Sequence, residues 1–385
     1  MARRGTRTWD ATRPLRGVNL GNWLVLERWM ESAACPGPFA GTVADDECGL
    51  RRELPGDELA ARLGHHRDTY VTEATFAWLS GIGCDLVRLP VPYHVFGDDS
   101  HESCVACVDH ALDWAASHGM RVLVDLHTVP GGQNGFDNGG VCGLCTWHLS
   151  PDHIARTLSV LERLALRYAS HPALFGIEAM NEPASPRVFA DSMRRYGAGH
   201  PTRVERSRPI PHLVLAQFYQ LVYERLRPIL GRDVALVFHD QFQLGAWDRF
   251  LPAGRHPNVW IDTHQYVATL ARATRISSLR GHLAIARVVG MRIARAQRHH
   301  PVLVGEWSLS HHIKGLSALP ADERAVAYRA YASAQLAAFD RGMGGCFWSL
   351  RNATHDDWSL EACVRAGWLS PAWATTCRGL RPARG

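Results

Sequence analysis

Glu182 lies between Asn181 and Pro183, and Glu306 between Gly305 and Trp307. Each closes a short apolar run of the kind that forms a buried strand. Two carboxylates at the ends of separate strands can face each other across a hollow, one protonated and the other ionised. Cleavage of a glycosidic bond requires that pairing of its acid and its nucleophile. Other polar residues close other runs: Asn19 with Glu27, Arg88, His127, His239 with Asp240, His264 with Tyr266, and Trp348. Burial raises a carboxyl pKa and a nearby cation lowers it, so Arg88 is expected to favour the charged nucleophile of the pair. Asn181 suits a neutral donor to a sugar hydroxyl, and Tyr266 a donor that fixes the nucleophile. Trp348 offers a flat apolar face to a pyranose ring. His239 and Asp240 receive no role at this level.

The elements that must carry these residues recur with regularity. Eight β-rich runs cover Leu15–Leu20, Cys84–Leu89, Arg121–Leu126, Leu174–Met180, Val234–Phe238, Val259–Thr263, Val302–Gly305 and Gly344–Ser349. Stretches with helical periodicity separate them: Tyr70–Ser80, Cys107–His118, Ile154–Ala169, Leu215–Leu230, Leu279–Gln297 and Ala321–Asp340. Eight strands alternating with helices predict an α/β fold of the closed (β/α)8 TIM-barrel type, with residues 1–385 as one domain. Non-periodic stretches follow the first strand (Glu31–His65), the third (Thr128–Pro151), the fourth (Pro183–His212) and the eighth (Arg351–Thr376). In a barrel all four rise on the C-terminal face, where active sites are built.

Charge and composition narrow the function further. Lys+Arg 42 against Asp+Glu 37 is too mild an excess to favour nucleic acid, and the arginines from Arg187 to Arg208 lack interleaved stacking aromatics apart from Phe189 and Tyr196. That stretch reads as a substrate-side loop with solvated charge. Met1 to Arg16 has no apolar signal core and no run is long enough to span a membrane, so a cytoplasmic location is expected. The ten cysteines then stay mostly reduced. Cys104 and Cys107 fit a packed helical face. Cys142 and Cys145, in a Gly-rich loop, are the weak candidates for a metal site or a disulfide. The doublets His65-His66, His299-His300 and His311-His312 read as solvated loop histidines, and Arg378 to Gly385 as a loose basic tail.

The order of motifs resembles glycoside hydrolase family 5, and within it the exo-β-1,3-glucanase-like branch. The matching stretches are Arg16 to Glu27, Val87 to Pro90, Asp125 to His127, Gln133 to Asn138, Asn181 to Pro183, Asp262 to Tyr266 and Gly305 to Trp307. The resemblance implies Glu182 as acid/base and Glu306 as nucleophile, with Arg88, His127, Asn181, His264, Tyr266 and Trp348 shaping the subsite of the reacting sugar. It implies that Glu27, Asp137 and Asn138 bind hydroxyls at the non-reducing end, and that Phe136 forms half of an aromatic clamp. Relatives of this branch carry an aromatic residue three positions after Tyr266, where this chain has Thr269. The expected partner is a short β-linked oligosaccharide or glycoside, and no cofactor is needed. A β-mannosidase differs only at one ring carbon, and a non-catalytic carbohydrate-binding barrel is the reading from another class. Sugar transfer to acceptor alcohols would share the same covalent intermediate.

Overall fold

The computed structural model describes residues 13–370. The tail from Arg378 and the first dozen residues, like the outer limits of a 1–385 domain, lie outside them. Eight parallel strands close in sequence order: β1 (Leu15–Asn19), β2 (Leu86–Val91), β3 (Arg121–Leu126), β4 (Leu174–Glu178), β5 (Ala235–His239), β6 (Val259–His264), β7 (Val302–Trp307) and β8 (Gly344–Phe347). Pairing of β1 with β8 seals the ring, so it has no open edge. The outward faces of the strands pack against the surrounding helices in one large core.

The helix Pro151–Tyr168 shows how the outer ring is specified. Ser150 accepts a hydrogen bond from the His153 amide, Pro151 occupies the first turn, and Leu158, Leu161, Leu164, Ala165 and Tyr168 form the buried stripe. Inside the barrel, Leu15, Leu86, Leu123, Val237, Trp260 and Leu303 form an apolar layer near the base. Two residues further along their strands stand Gly17, Arg88, Asp125, His239, Asp262 and Gly305. A side chain at Gly305 would collide with the Asp262 carboxylate, so glycine is required there. The pairing of β7 is irregular between Val304 and Trp307, and such a bulge re-aims a side chain, here Glu306 toward the mouth.

Two long loops differ from the sequence expectation. The stretch 31–65 contains the helix Glu47–Glu53 and most of Gly56–Tyr70. Its sparse leucines, Leu50, Leu59 and Leu63, pack with Leu26, Phe39 and Ala44 in a small separate cluster, which leaves a weak helical pattern in the sequence. The basic stretch after β4 folds into Pro186–Tyr196 and Pro201–Arg206, each with proline in its first turn. His66 and His300 are buried, so those doublets are not simply solvated. His66 sits on a helix, where Nε2 bonds the Asn22 carbonyl at 2.6 Å. Among the described residues no helix is long and apolar enough to cross a membrane.

Candidate active site

The two glutamates meet at the C-terminal mouth. Glu306 accepts from Arg88 Nη1 at 3.0 Å and from the Tyr266 hydroxyl at 2.7 Å. Glu182, four residues past the end of β4, has a left-handed backbone with φ 43°, a strained conformation for a residue with a side chain. It accepts from Asn138 Nδ2 at 2.8 Å and from His264 Nδ1 at 2.7 Å. The same Nδ1 lies 3.3 Å from Glu306. The two carboxylate oxygens flanking it are therefore within about 6 Å of each other, which suits the retaining separation of about 5 to 5.5 Å better than the inverting gap of about 6.5 to 9.5 Å.

The other nitrogen of His264 faces Asp262 at 3.1 Å. Burial disfavours the imidazolium, but Glu306, Asp262 and Glu182 outweigh it and hold the His264 pKa well above its ordinary value. Burial likewise raises the Glu182 carboxyl, yet the bond and charge of His264 dominate and bring it down to about 2. Glu306 stays raised, chiefly by burial and the Glu182 charge, despite His264 and Arg88. This order reverses the sequence expectation for the ligand-free enzyme. His264 sits closer to Glu182 than to Glu306, and the charge of Arg88 is divided among several acids.

That division is visible beneath the mouth. Arg88 forms a bidentate pair with Glu178 at 2.8 and 2.9 Å, lies 3.1 Å from Asp125, and donates to Asn19 and Asn181 at 3.1 and 3.0 Å. His127 Nδ1 faces Asp125 at 2.5 Å, and its ring stacks parallel to Trp348 with centroids 5.6 Å apart. Arg88, His127 and Asn181 are fully buried and do not line the hollow. They brace residues that do, since Arg88 bonds Glu306 and Asn181 while His127 stacks on Trp348.

The hollow above has a volume of about 1190 Å³, more than one sugar ring fills. At one end stand Glu27, Trp29, Asp137, Trp348 and Trp358. Glu27 accepts from the Trp29 indole at 2.7 Å, its other oxygen has no partner, and burial with the nearby Asp137 charge raises its pKa well above normal. Asn138 Nδ2 is engaged by Glu182, to which it donates. Past Glu182 the wall is formed by Phe136, Val188, Asp191, Phe242, Leu244 and Thr269. Phe242, 39% exposed, supplies an aromatic face from the loop after β5 although Thr269 has none.

Sequence reasoning missed Phe242, Trp29, Trp358 and the acids Asp125, Glu178 and Asp262. A signal existed for two of them, since Asp125 and Asp262 precede His127 and His264 by two residues and so share their strand face. Arg187 and Arg195 line the hollow rather than only solvent. Cys142 and Cys145 are free thiols in different surroundings. Cys145 belongs to the main core, and Cys142 Sγ lies 3.5 Å from the Asp45 carbonyl, so they do not form a disulfide.

A closed (β/α)8 barrel with two opposed carboxylates at its C-terminal mouth defines a barrel glycosidase. The sequence profile of the cellulase family, glycosyl hydrolase family 5, matches residues 55–354. A "probable glucan 1,3-beta-glucosidase A" of Emericella nidulans is 31% identical over 92% of this chain and 89% of its own length. The "glucan 1,3-beta-glucosidase 1" of Schizosaccharomyces pombe is 28% identical over 92% and 87%. The crystal structure of a rutinosidase from Aspergillus niger superposes with a TM-score of 0.71 at 20% identity, covering 94% of this chain and 99% of that one, a likeness of fold. The chain belongs to glycosyl hydrolase family 5 and is a glycoside hydrolase.

Proposed function

We propose that the protein is a retaining exo-β-glycosidase that removes glucose from short β-linked gluco-oligosaccharides or glycosides, β-1,3 linkages included. The observation that carries this is the pair of carboxylates on either side of His264 Nδ1, at 2.7 and 3.3 Å. The names of the Emericella and Schizosaccharomyces relatives support the gluco-configured substrate and the linkage. Exo action is supported by the end of the hollow at Glu27, where a buried carboxylate oxygen has no partner and suits a sugar hydroxyl. The same reading puts the enzyme in the cytoplasm, where a thiol such as the exposed Cys35 stays reduced.

The reaction needs Glu306 ionised and Glu182 protonated. His264 Nδ1 reaches both, so it can pass a proton from the Glu306 side to Glu182 as substrate enters. A Glu306 oxygen then attacks the anomeric carbon while the bond to the leaving oxygen breaks and takes the Glu182 proton. Water next attacks the same carbon, Glu182 accepts its proton, and the bond to Glu306 breaks to release a β-configured sugar. Arg88 and Tyr266 hold the nucleophile in line, and Phe242 with Phe136 offers apolar faces to the departing group.

The test is hydrolysis of nitrophenyl β-glucoside, nitrophenyl β-mannoside and β-1,3-linked disaccharides, with the first product anomer followed by NMR. The β-anomer of glucose is expected, and Glu306→Ala is expected to lose turnover that azide partly restores. An α-anomer as first product, or normal turnover in that variant, overturns the mechanism. Preference for the mannoside overturns the sugar assignment alone.

A further inference from the structure

We infer that the leaving-group side of the hollow takes a departing saccharide that carries negative charge, held by Arg187, Arg292 and Arg295. This rests on the glycosidase function proposed above and narrows the substrate on the side of the cleaved bond away from Glu27. The charges lining the hollow are unevenly divided. Glu27, Asp137, Glu182 and Glu306 surround the place of the reacting sugar, whereas Arg187, Arg292 and Arg295 belong to the opposite wall. Arg187 directly precedes Val188 of that wall on the helix Pro186–Tyr196. Arg292 and Arg295 come from the helix Leu279–Ala296, which packs against the turn Leu244–Trp247.

All three guanidinium groups are on exposed residues, and among the described residues none has a carboxylate within ion-pair distance. The fourth cation of the lining, Arg195, is already committed: burial raises the Asp137 carboxyl, and the charge of Arg195 opposes that rise. The acids of the same wall do little to balance the other three. Asp191 is bound by Arg194 at 2.6 Å. Asp240 is buried, accepts from the Thr263 hydroxyl at 2.6 Å and the Phe242 amide at 2.7 Å, and has its carboxyl pushed up to about 7 by that burial. Asp248 remains, with His299 Nε2 at 3.8 Å.

Nothing along the helix itself offsets the charge. Leu279–Ala296 carries Arg280, Arg287, Arg292 and Arg295 and no Asp or Glu. A hollow whose wall holds one sign of charge concentrates ligands of the other sign. Guanidinium groups also present a planar fork that matches a carboxylate with two parallel bonds. Sugar hydroxyls need no such excess, since acids and amides serve them equally well, as Glu27 and Asp137 are placed to do at the other end.

The experiment uses the whole enzyme and β-1,3-linked gluco-oligosaccharides of two, three and four units. Each is converted at its reducing end either to the neutral alditol or to the aldonate, so the two members of a pair differ only by an alcohol against a carboxylate. Chain length then moves the charge along the wall. For at least one length the aldonate is expected to give a kcat/KM about fivefold higher or more, chiefly through KM, with the advantage falling below about twofold in about 0.5 M sodium chloride. Arg187→Glu, or Arg292→Glu combined with Arg295→Glu, should turn that preference toward the alditol of the same length. The quantity read is the ratio within a pair, so a poorly active variant still reports, and the unaltered enzyme needs no variant at all. Equal or slower hydrolysis of the aldonate at every length, or a preference unaltered in both variants, overturns the anionic assignment and leaves the retaining mechanism standing. Hydrolysis of neither member of any pair overturns the proposed glycosidase substrate, and the anionic assignment falls with it.

Discussion

The interior of the barrel divides into two layers built from the same strands. Near the base, Leu15, Leu86, Leu123, Trp260 and Leu303 fill the ring with apolar side chains. One inward position higher, Arg88, Asp125, Glu178 and Asp262 fill it with charge at zero exposure. The lower layer is held by volume and the absence of water. The upper layer is held by directed bonds, because each buried ion there is tolerable only with its partners in place. Stability in one layer thus depends on how much space is filled, and in the other on which atoms face each other.

Substitutions should separate the layers. Glu306→Gln is expected to lower kcat on an aryl β-glucoside by on the order of 10⁴-fold or more, with Tm nearly unchanged. Arg88→Met should cost about 3 to 5 kcal/mol in chemical denaturation, since it strands several buried acids, and should abolish activity as well. Leu123→Ala in the apolar layer should cost about 2 to 5 kcal/mol through the cavity it leaves. Its kcat at a temperature where it is folded should stay within a few fold of normal, and an equal loss of kcat would erase the distinction.

His264→Gln should lower kcat by about 10²-fold. Without the imidazolium the Glu306 carboxylate loses a stabilising charge, so the acid limb of the kcat/KM profile should move to higher pH. The smallest effect is expected at Asp240, where burial pushes the carboxyl up to about 7. The unfolded chain titrates near about 3.9, so the folded state prefers the protonated form, and stability present below that pH is lost as pH rises through 7. Asp240→Asn should flatten that decline between about pH 4 and 7, measured as denaturation midpoints across pH.

The barrel was legible in the sequence because parallel strands are buried on both faces and read as apolar runs ending in polar residues. Their ends shifted by a residue or two, as for β2, expected at Cys84–Leu89 and found at Leu86–Val91. The helix Gly56–Tyr70 was obscured because its burial is confined to Leu59, Leu63, His66 and Arg67, too little to stamp a clear stripe on its surroundings. Glu182 and Glu306 were legible from position. The proton order between them was not, because it depends on which oxygen His264 approaches more closely, and that is set by the bulge in β7 and the turn after β4. Asn138 shows the same limit, since motif order brought it to the mouth but its 2.8 Å bond to Glu182 is not written in that order.

Beyond Glu27, the segments after β1 and β8 are laced together. The Ala353 amide donates to the Met30 carbonyl at 3.0 Å, and the Thr354 hydroxyl to the Trp29 carbonyl at 2.8 Å. This strap braces the wall beside Glu27 across the β1–β8 seam, so a short substrate and the sugar cut from it are expected to use the same entrance.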